Sequence, residues 1–452
     1  YNEVFAPVVR HSTLRIVLAL AAHYRMFSAH LDVPKAFPNA DIDYDVYMHA
    51  PPGIHLPHNH CYKLLKSLYG LKQAARLWNK LLTSFLLSLA LTQCLSDTCL
   101  FYSFTDGIFT IVCIYVDDIM LLSTSEAHLT TLVSQFHTRF QTVHLGQIHW
   151  VCGMQVFISE DRSIYQLSHQ TYVDTILLKA NAQHFQTSPV PMHPAVKLHR
   201  GMSPTTPADR DAMSTVPYRT IVGMLLYLMV CSRPDIAYAV CSCARFMDSY
   251  GLEHWRAVQV ILKYLVGTKD LRITYRRLTS VAPVLHGYCD ADWTSNDLDT
   301  RHSHTGFVFF LSGGPVAWKS RLQTSVSLSS MDAEYYAMGD STKEAISLRD
   351  VLGEVDRHLT DDERSRAVQI RVDNVSAIQL SRNPVFHKRS KHIALRHHFL
   401  RDMKVQELVS FEYVPSEYNI ADVLTKPLHK REFHVQRFIL MGSYATLLAT
   451  TH

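Results

Sequence analysis

Apolar residues recur at two different periods along this chain, and the change of period divides it. Up to about residue 185, short apolar runs alternate with amphipathic stretches. In "FTIVCIYVDDIMLLS" (109–123), Phe109–Val116 and Ile119–Leu122 predict two strands, with Asp117 and Asp118 at the turn and no glycine. "AARLWNKLLTSFLLSLA" (74–90) spaces Leu77, Leu81, Phe85 and Leu89 four apart and predicts a helical face. Prolines at 189, 191, 194, 204, 207 and 217 forbid a continuous helix over 187–217, so a linker or an extended surface segment is expected there. Residues 218 to about 275 read as helical throughout. From about 284 the pattern turns to strands: "VLHGYCD", "TGFVFFLSGGPVAW" with a Ser-Gly-Gly-Pro turn, and "TSVSLSS". A helix is expected from Ala333 to about Val355, with Ala345, Leu348, Leu352 and Val355 on one face. Strands follow in "VQIRVD" (368–373) and "LVSFEYV" (408–414), then a last short helix around Asp422.

Composition narrows the class. Of 452 residues 47% are apolar and 19% charged, which suits two or more domains with cores and argues against a disordered chain. The net charge of +4 is compatible with a polyanionic partner without requiring one. Nine cysteines are scattered without a CxxC pair, so neither a zinc site nor a disulfide framework is expected, and the thiols read as reduced and mostly buried in an intracellular protein. No apolar run reaches the ~18 residues of a membrane span, and no signal peptide is apparent. The chain opens at Tyr1 on sequence that already reads as folded, so a piece of a longer protein is expected.

Acids placed inside apolar patterns carry the chemistry. Asp32 ends a short apolar stretch in "HLDVPKAFPNA" (30–40). If that stretch lies beside the 109–122 hairpin, Asp32 and Asp117 converge, and hard cations such as Mg²⁺ take carboxylate oxygens. The competing reading is an Asp-Asp hairpin turn with no ligand, since Asp tolerates turn conformations. A second set recurs on a different scaffold: Asp290 in "GYCDADW", Glu334 in "LSSMDAEYYA", Asp373 in "IRVDNVSAI" and Asp422 in "NIADVLTKPL". Asp292 reads as a neighbour, and Asp332 as a solvated residue.

"YVDD" between apolar strands, "LDVPKAF" before it and "CYKLLKSLYGLKQAARLW" (61–78) between them resemble the polymerase core of copia-type long-terminal-repeat retrotransposons. "NEVFAPVVRHSTLRIVLALAA" and "YRTIVGMLLYLMVCSRPDIAYAV" fit the same family, and the resemblance runs to about residue 441. It implies a multidomain α+β and α/β fold: a right-hand reverse transcriptase palm, a helical thumb or connection region, and a ribonuclease H-like domain. The implied boundaries are an N-terminally truncated polymerase core at 1–185, a proline-rich linker at 186–217, the helical region at 218–280, the ribonuclease H-like domain at 281–441 and a tail at 442–452.

The resemblance further implies roles. Asp32 and Asp117 hold two catalytic metals, with Asp118 in support. Phe37 is an aromatic gate against a 2′-hydroxyl. Lys35 and Ala36 present backbone N–H groups to the triphosphate, and Gln73 contacts the incoming base and template. "LGQIHWVCGM" (145–154) matches the primer-gripping hairpin. Asp290, Glu334, Asp373 and Asp422 hold two metals for hydrolysing a phosphodiester. Mg²⁺ is expected, two ions per site, with Mn²⁺ as the alternative. The expected partners are an RNA template, a DNA primer, the RNA–DNA hybrid and deoxynucleoside triphosphates, in a cytoplasmic virus-like particle or the nucleus. No membrane partner is expected, and the oligomeric state stays open. The basic run "FHKRSKHIALRHHF" (386–399), with His392, is a candidate grip on the hybrid, and Arg219, Arg233, Arg245 and Lys263 are candidates to line its path. Pro34, Lys35, Pro38 and Ala40 depart from the family pattern around the gate. Two rivals remain: a decayed or domesticated copy that binds hybrids without catalysis, and a ribonuclease whose palm is only a platform.

Overall fold

The computed structural model describes residues 5–278, 283–293, 298–356, 358–382 and 394–443, with backbone alone for 394–397. The chain divides into two compact units, one of Tyr1–Leu14, Arg25–Cys152 and Glu354–Arg357, the other of Arg15–Tyr24, Gly153–Gly353 and His358–His452.

The first unit is built on a six-stranded antiparallel sheet. Its spatial order is Thr92–Gln93, Leu100–Thr105, Ile108–Tyr115, Asp118–Ser123, Phe27–Asp32 and Val143–His144. The expected hairpin forms and lies directly beside Phe27–Asp32, with Leu31 opposite Ile119 and Asp32 opposite Asp118. Two helices, Ala74–Ser88 and Glu126–Phe140, complete the layer, and their apolar faces share a core with the sheet through Trp78, Leu82, Phe136 and Phe140. The buried stripe of the first helix is Ala74, Leu77, Trp78, Leu82 and Leu86; of the four-spaced series only Leu77 belongs to it, while Leu81, Phe85 and Leu89 are half-buried against the same core. A strict spacing of four advances 400° per step, so such a series drifts around a 3.6-residue helix while a 3–4 alternation stays on one face.

In the second unit a five-stranded sheet is ordered Gly314–Leu322, His304–Leu311, His286–Asp292, Val368–Val372 and Val409–Tyr413. The first three strands are antiparallel, and the last two join in parallel. Three antiparallel strands followed by two parallel ones, with the helix Ser330–Val355 crossing over, is the ribonuclease H-like arrangement expected. The third antiparallel strand comes from "GPVAWKSRL", whereas "TSVSLSS" is a loop leading into the helix. Helices Tyr218–Cys231, Ala237–Ala244 and Leu252–Val266 pack into one apolar core with the edge of this sheet, and Ile273–Arg276 is a strand rather than the end of the helical run. The proline-rich segment 187–217 has no continuous helix, but it is not simply a surface linker. It buries Val190, Met192 and Leu198 in that core and forms a capped helix at Pro207–Ser214.

Candidate active sites

Register creates the first acidic corner. Asp32 closes its strand, Asp118 opens the neighbouring one, and the two are paired across the sheet. Asp117 sits in the turn, where its carbonyl accepts from Val33 N at 3.1 Å and so ties the turn to the end of the Asp32 strand. Burial, then the charges of Asp117 and Asp118, push the Asp32 carboxyl up from its ordinary range. His30 points along the same edge, with Nε2 3.2 Å from Asp118 Oδ1. Residues 145 and 146 run alongside, Leu145 N donating to His30 O and His30 N to Gly146 O, both at 2.9 Å.

The remaining expected residues belong to the same unit. Lys35 is exposed, with φ +57°, and Ala36 is buried; Asn39 Nδ2 donates to both of their carbonyls. Phe37 is half-buried against Tyr69, ring centroids 4.6 Å apart. Gln73 is buried at the start of the helix Ala74–Ser88, and its Nε2 has no hydrogen-bond partner among the described residues.

The second corner is tighter. Asp290 on the first strand of its sheet, Glu334 on the crossover helix and Asp373 just past Val368–Val372 bring carboxylate oxygens within 4.8 Å of one another. Among the described residues no other acidic, His or Cys trio comes together this closely, so Asp32, Asp117 and Asp118 share a sheet end without forming such a cluster. Asp422 does not join the trio. It lies in the short helix Ile420–Leu424, its Oδ2 2.9 Å from Lys426 Nζ. That helix reaches the sheet because Gly306, paired opposite Asp290, has no side chain: a Cβ there would meet Thr425 Cγ2 at 2.7 Å and Leu424 Cβ at 2.8 Å. Asn419 fastens the approach, capping Ala421 N and donating to Cys289 O at 3.1 Å.

Burial, then Asp290 and Asp373, push the Glu334 carboxyl well up. Burial and Asp290 push Asp373 up, and burial followed by Asp290 takes Asp422 to about 8. Glu334 Oε2 and Asp422 Oδ1 are buried without a hydrogen-bond partner among the described residues. An all-carboxylate donor set with orphaned buried oxygens fits a hard divalent cation, which supplies the missing partner.

Sequence reasoning missed His30, Trp78, Thr425 and Lys426. All four lay inside motifs already singled out without being marked, and Lys426 stands four residues after Asp422, where a helical turn brings side chains together. Asp332 is buried rather than solvated, accepting from Leu328 N at 2.9 Å ahead of the helix. Arg233 is buried in an ion pair and lines no path. The basic run up to Ile393, His392 included, lies outside the described residues.

The family profile described as reverse transcriptase (RNA-dependent DNA polymerase) matches residues 1–194. The retrovirus-related Pol polyprotein from transposon TNT 1-94 of Nicotiana tabacum is 36% identical over 439 residues, 96% of this chain and 32% of that protein. The corresponding polyprotein from transposon RE1 of Arabidopsis thaliana is 34% identical over 96% of this chain and 28% of its own length. The chain belongs to the copia-type retrotransposon Pol family. It spans about a third of the length of these Pol relatives. A foamy viral protease-reverse transcriptase solved in complex with double-stranded DNA superposes with a TM-score of 0.51 at 13% identity, over 86% of this chain and 56% of the viral one. At that identity the likeness to the Pol chain is one of fold.

Proposed function

We propose that this chain is an RNA-directed DNA polymerase joined to a ribonuclease H, copying RNA into DNA and hydrolysing the RNA of the resulting hybrid. The observation that carries the reading is the pairing of Asp32 with Asp118 beside Asp117, at the sheet end of a reverse transcriptase-family chain. Divalent cations, Mg²⁺ or Mn²⁺, would be held by Asp32 and Asp117 in one site and by Asp290, Glu334, Asp373 and Asp422 in the other; when bound they activate an attacking oxygen and stabilise a leaving one. The protein's own groups do the rest. Asp118, oriented by His30, backs the first pair. Phe37, braced by Tyr69, fills the space a 2′-hydroxyl would need and so selects deoxynucleotides. The free amide of Gln73 meets the base pair being formed, and the backbone at Lys35 and Ala36 faces the triphosphate. In the second site Thr425 holds Asp290 in place through its hydroxyl.

The test is a labelled DNA primer on a labelled RNA template with Mg²⁺ and deoxynucleotides, extension and cleavage being read together. Asp117→Asn should remove extension by more than about 100-fold, beyond what outer-shell changes cause, and leave cleavage intact; Asp290→Asn should do the reverse. Cleavage without extension in the wild type would leave a ribonuclease on an inert platform. Loss of both activities with hybrid binding retained would identify a domesticated binding protein.

A further inference from the structure

Lys426 stands inside the second acid cluster although no catalytic reading needs a base there. Its Nζ is 2.9 Å from Asp422 Oδ2 and 4.0 Å from Asp290 Oδ2, with the side chain about one-third exposed. It bridges the acid outside the trio to one inside it. The same Asp290 oxygen also accepts from the Thr425 hydroxyl, so the turn after Asp422 presents two neighbouring donors to one carboxylate. The tether is short: Ile420–Leu424 is pressed on the sheet at Gly306, which fixes where the next two residues can reach. Meanwhile Glu334 Oε2 and Asp422 Oδ1 have no donor among the described residues. One ammonium therefore neutralises part of a crowded tetrad, and it does so on oxygens that a divalent ion would need.

We propose that Lys426 is a tethered counter-ion that competes with divalent metal for Asp290 and Asp422, holding the acids together and yielding their oxygens as the metal binds. The proposal rests on the ribonuclease reading of this cluster. An ammonium offers one charge and a few hydrogen bonds, whereas a divalent cation offers two charges and takes several oxygens, so exchange favours the metal once its concentration is sufficient. The device weakens metal affinity and in return keeps the cluster compact, because an uncompensated buried carboxylate is strongly destabilising.

The experiment is calorimetric titration of Mg²⁺ into the whole chain carrying Asp117→Asn, which lowers binding at the polymerase corner, with and without Lys426→Met. Removing one nearby unit charge from a partly buried site should tighten Mg²⁺ binding about tenfold or more. The thermal midpoint in chelator should drop, and the gain on adding Mg²⁺ should grow. Unchanged or weaker Mg²⁺ affinity in Lys426→Met overturns the proposal. If that variant does not stay folded in chelator, lysine-selective ¹³C NMR of the wild type decides. The Lys426 signal, assigned by its loss in Lys426→Arg, should shift on saturation with Mg²⁺, and a signal indifferent to Mg²⁺ overturns the proposal. Hybrid cleavage by the wild type is measured alongside. Absent cleavage with the affinity change present sinks the ribonuclease reading alone, and cleavage with no affinity change sinks this proposal alone.

Discussion

Val116 holds a backbone conformation that a β-branched side chain resists. Its φ is +60°, at the turn that carries Asp117. The indole N–H of buried Trp78 donates to the Val116 carbonyl at 2.7 Å and restrains that turn from beneath. Trp78→Phe keeps an aromatic ring in the core and removes only the donor. It should lower stability by about 1 kcal/mol in urea denaturation, as for a lost hydrogen bond with a stranded acceptor, and lower primer extension by a larger factor. Rescue by Trp78→His, which can restore a ring N–H, would separate turn positioning from packing. Extension that falls only in step with stability would mean that the turn holds its shape unaided. Asp32, Asp117, Asp118, Asp290 and Asp373 stood out in the sequence because carboxylates at the ends of apolar strands have few structural reasons to be there, whereas Glu334 and Asp422, on helices, stood out only through the family motifs. Trp78, His30 and Lys426 did not, because nothing in their local pattern distinguishes them from core filler, a strand histidine or a surface lysine. Their roles exist only in the register and the close approaches that folding makes.

Between elements, a fully buried ion pair forms a polar joint beside the segment that carries Asp422 and Lys426. Arg233 sits before the short helix Pro234–Ile236 and donates in bidentate fashion to Asp235, at 2.8 and 2.7 Å. Its third nitrogen donates to Thr268 O at 3.0 Å, and Tyr264 OH donates to Asp235 Oδ2 at 2.6 Å, which ties the joint to the helix Leu252–Val266. Burial would raise Asp235, but Arg233 outweighs it and holds the carboxyl below its ordinary range. Breaking one side of such a pair strands the other charge: Asp235→Ala should cost about 3–5 kcal/mol, whereas the double replacement Arg233→Met with Asp235→Leu should recover much of that loss. Equal losses in the single and the double variant would show that packing, not charge, holds the joint. This is also where reading the chain by elements failed. Arg233 looked like an available cation because sequence shows charge but not burial. "TSVSLSS" alternates like a strand but lies outside the sheet, since the hairpin before it already supplies the edge. The prolines of 187–217 excluded a continuous helix, yet left open that a broken segment can hold the short helix Pro207–Ser214 and still bury Val190, Met192 and Leu198.

For the whole molecule, carboxylates gathered for metal make stability depend on pH in a direction opposite to ordinary acid denaturation. Burial and mutual repulsion raise Glu334, Asp373 and Asp422, the last to about 8, and Asp32 moves the same way in the first unit. Unfolded carboxyls titrate near 4. Between about pH 4 and about 8 the folded chain therefore binds more protons than the unfolded one, and this contribution to stability is lost as pH rises through the folded values. In chelator, the urea midpoint should fall as pH goes from about 5 to about 8. Asp290→Asn removes the charge that acts on all three raised acids of the cluster, so it should flatten that decline more than Asp117→Asn does. Mg²⁺ binds the deprotonated oxygens, so the stabilisation it gives should grow over the same range and offset or reverse the slope. A midpoint in chelator that is flat with pH, and equally flat in Asp290→Asn, would mean that the acids are relaxed and apart in solution. The convergence of Asp290, Glu334 and Asp373 would then lose its force as a metal site.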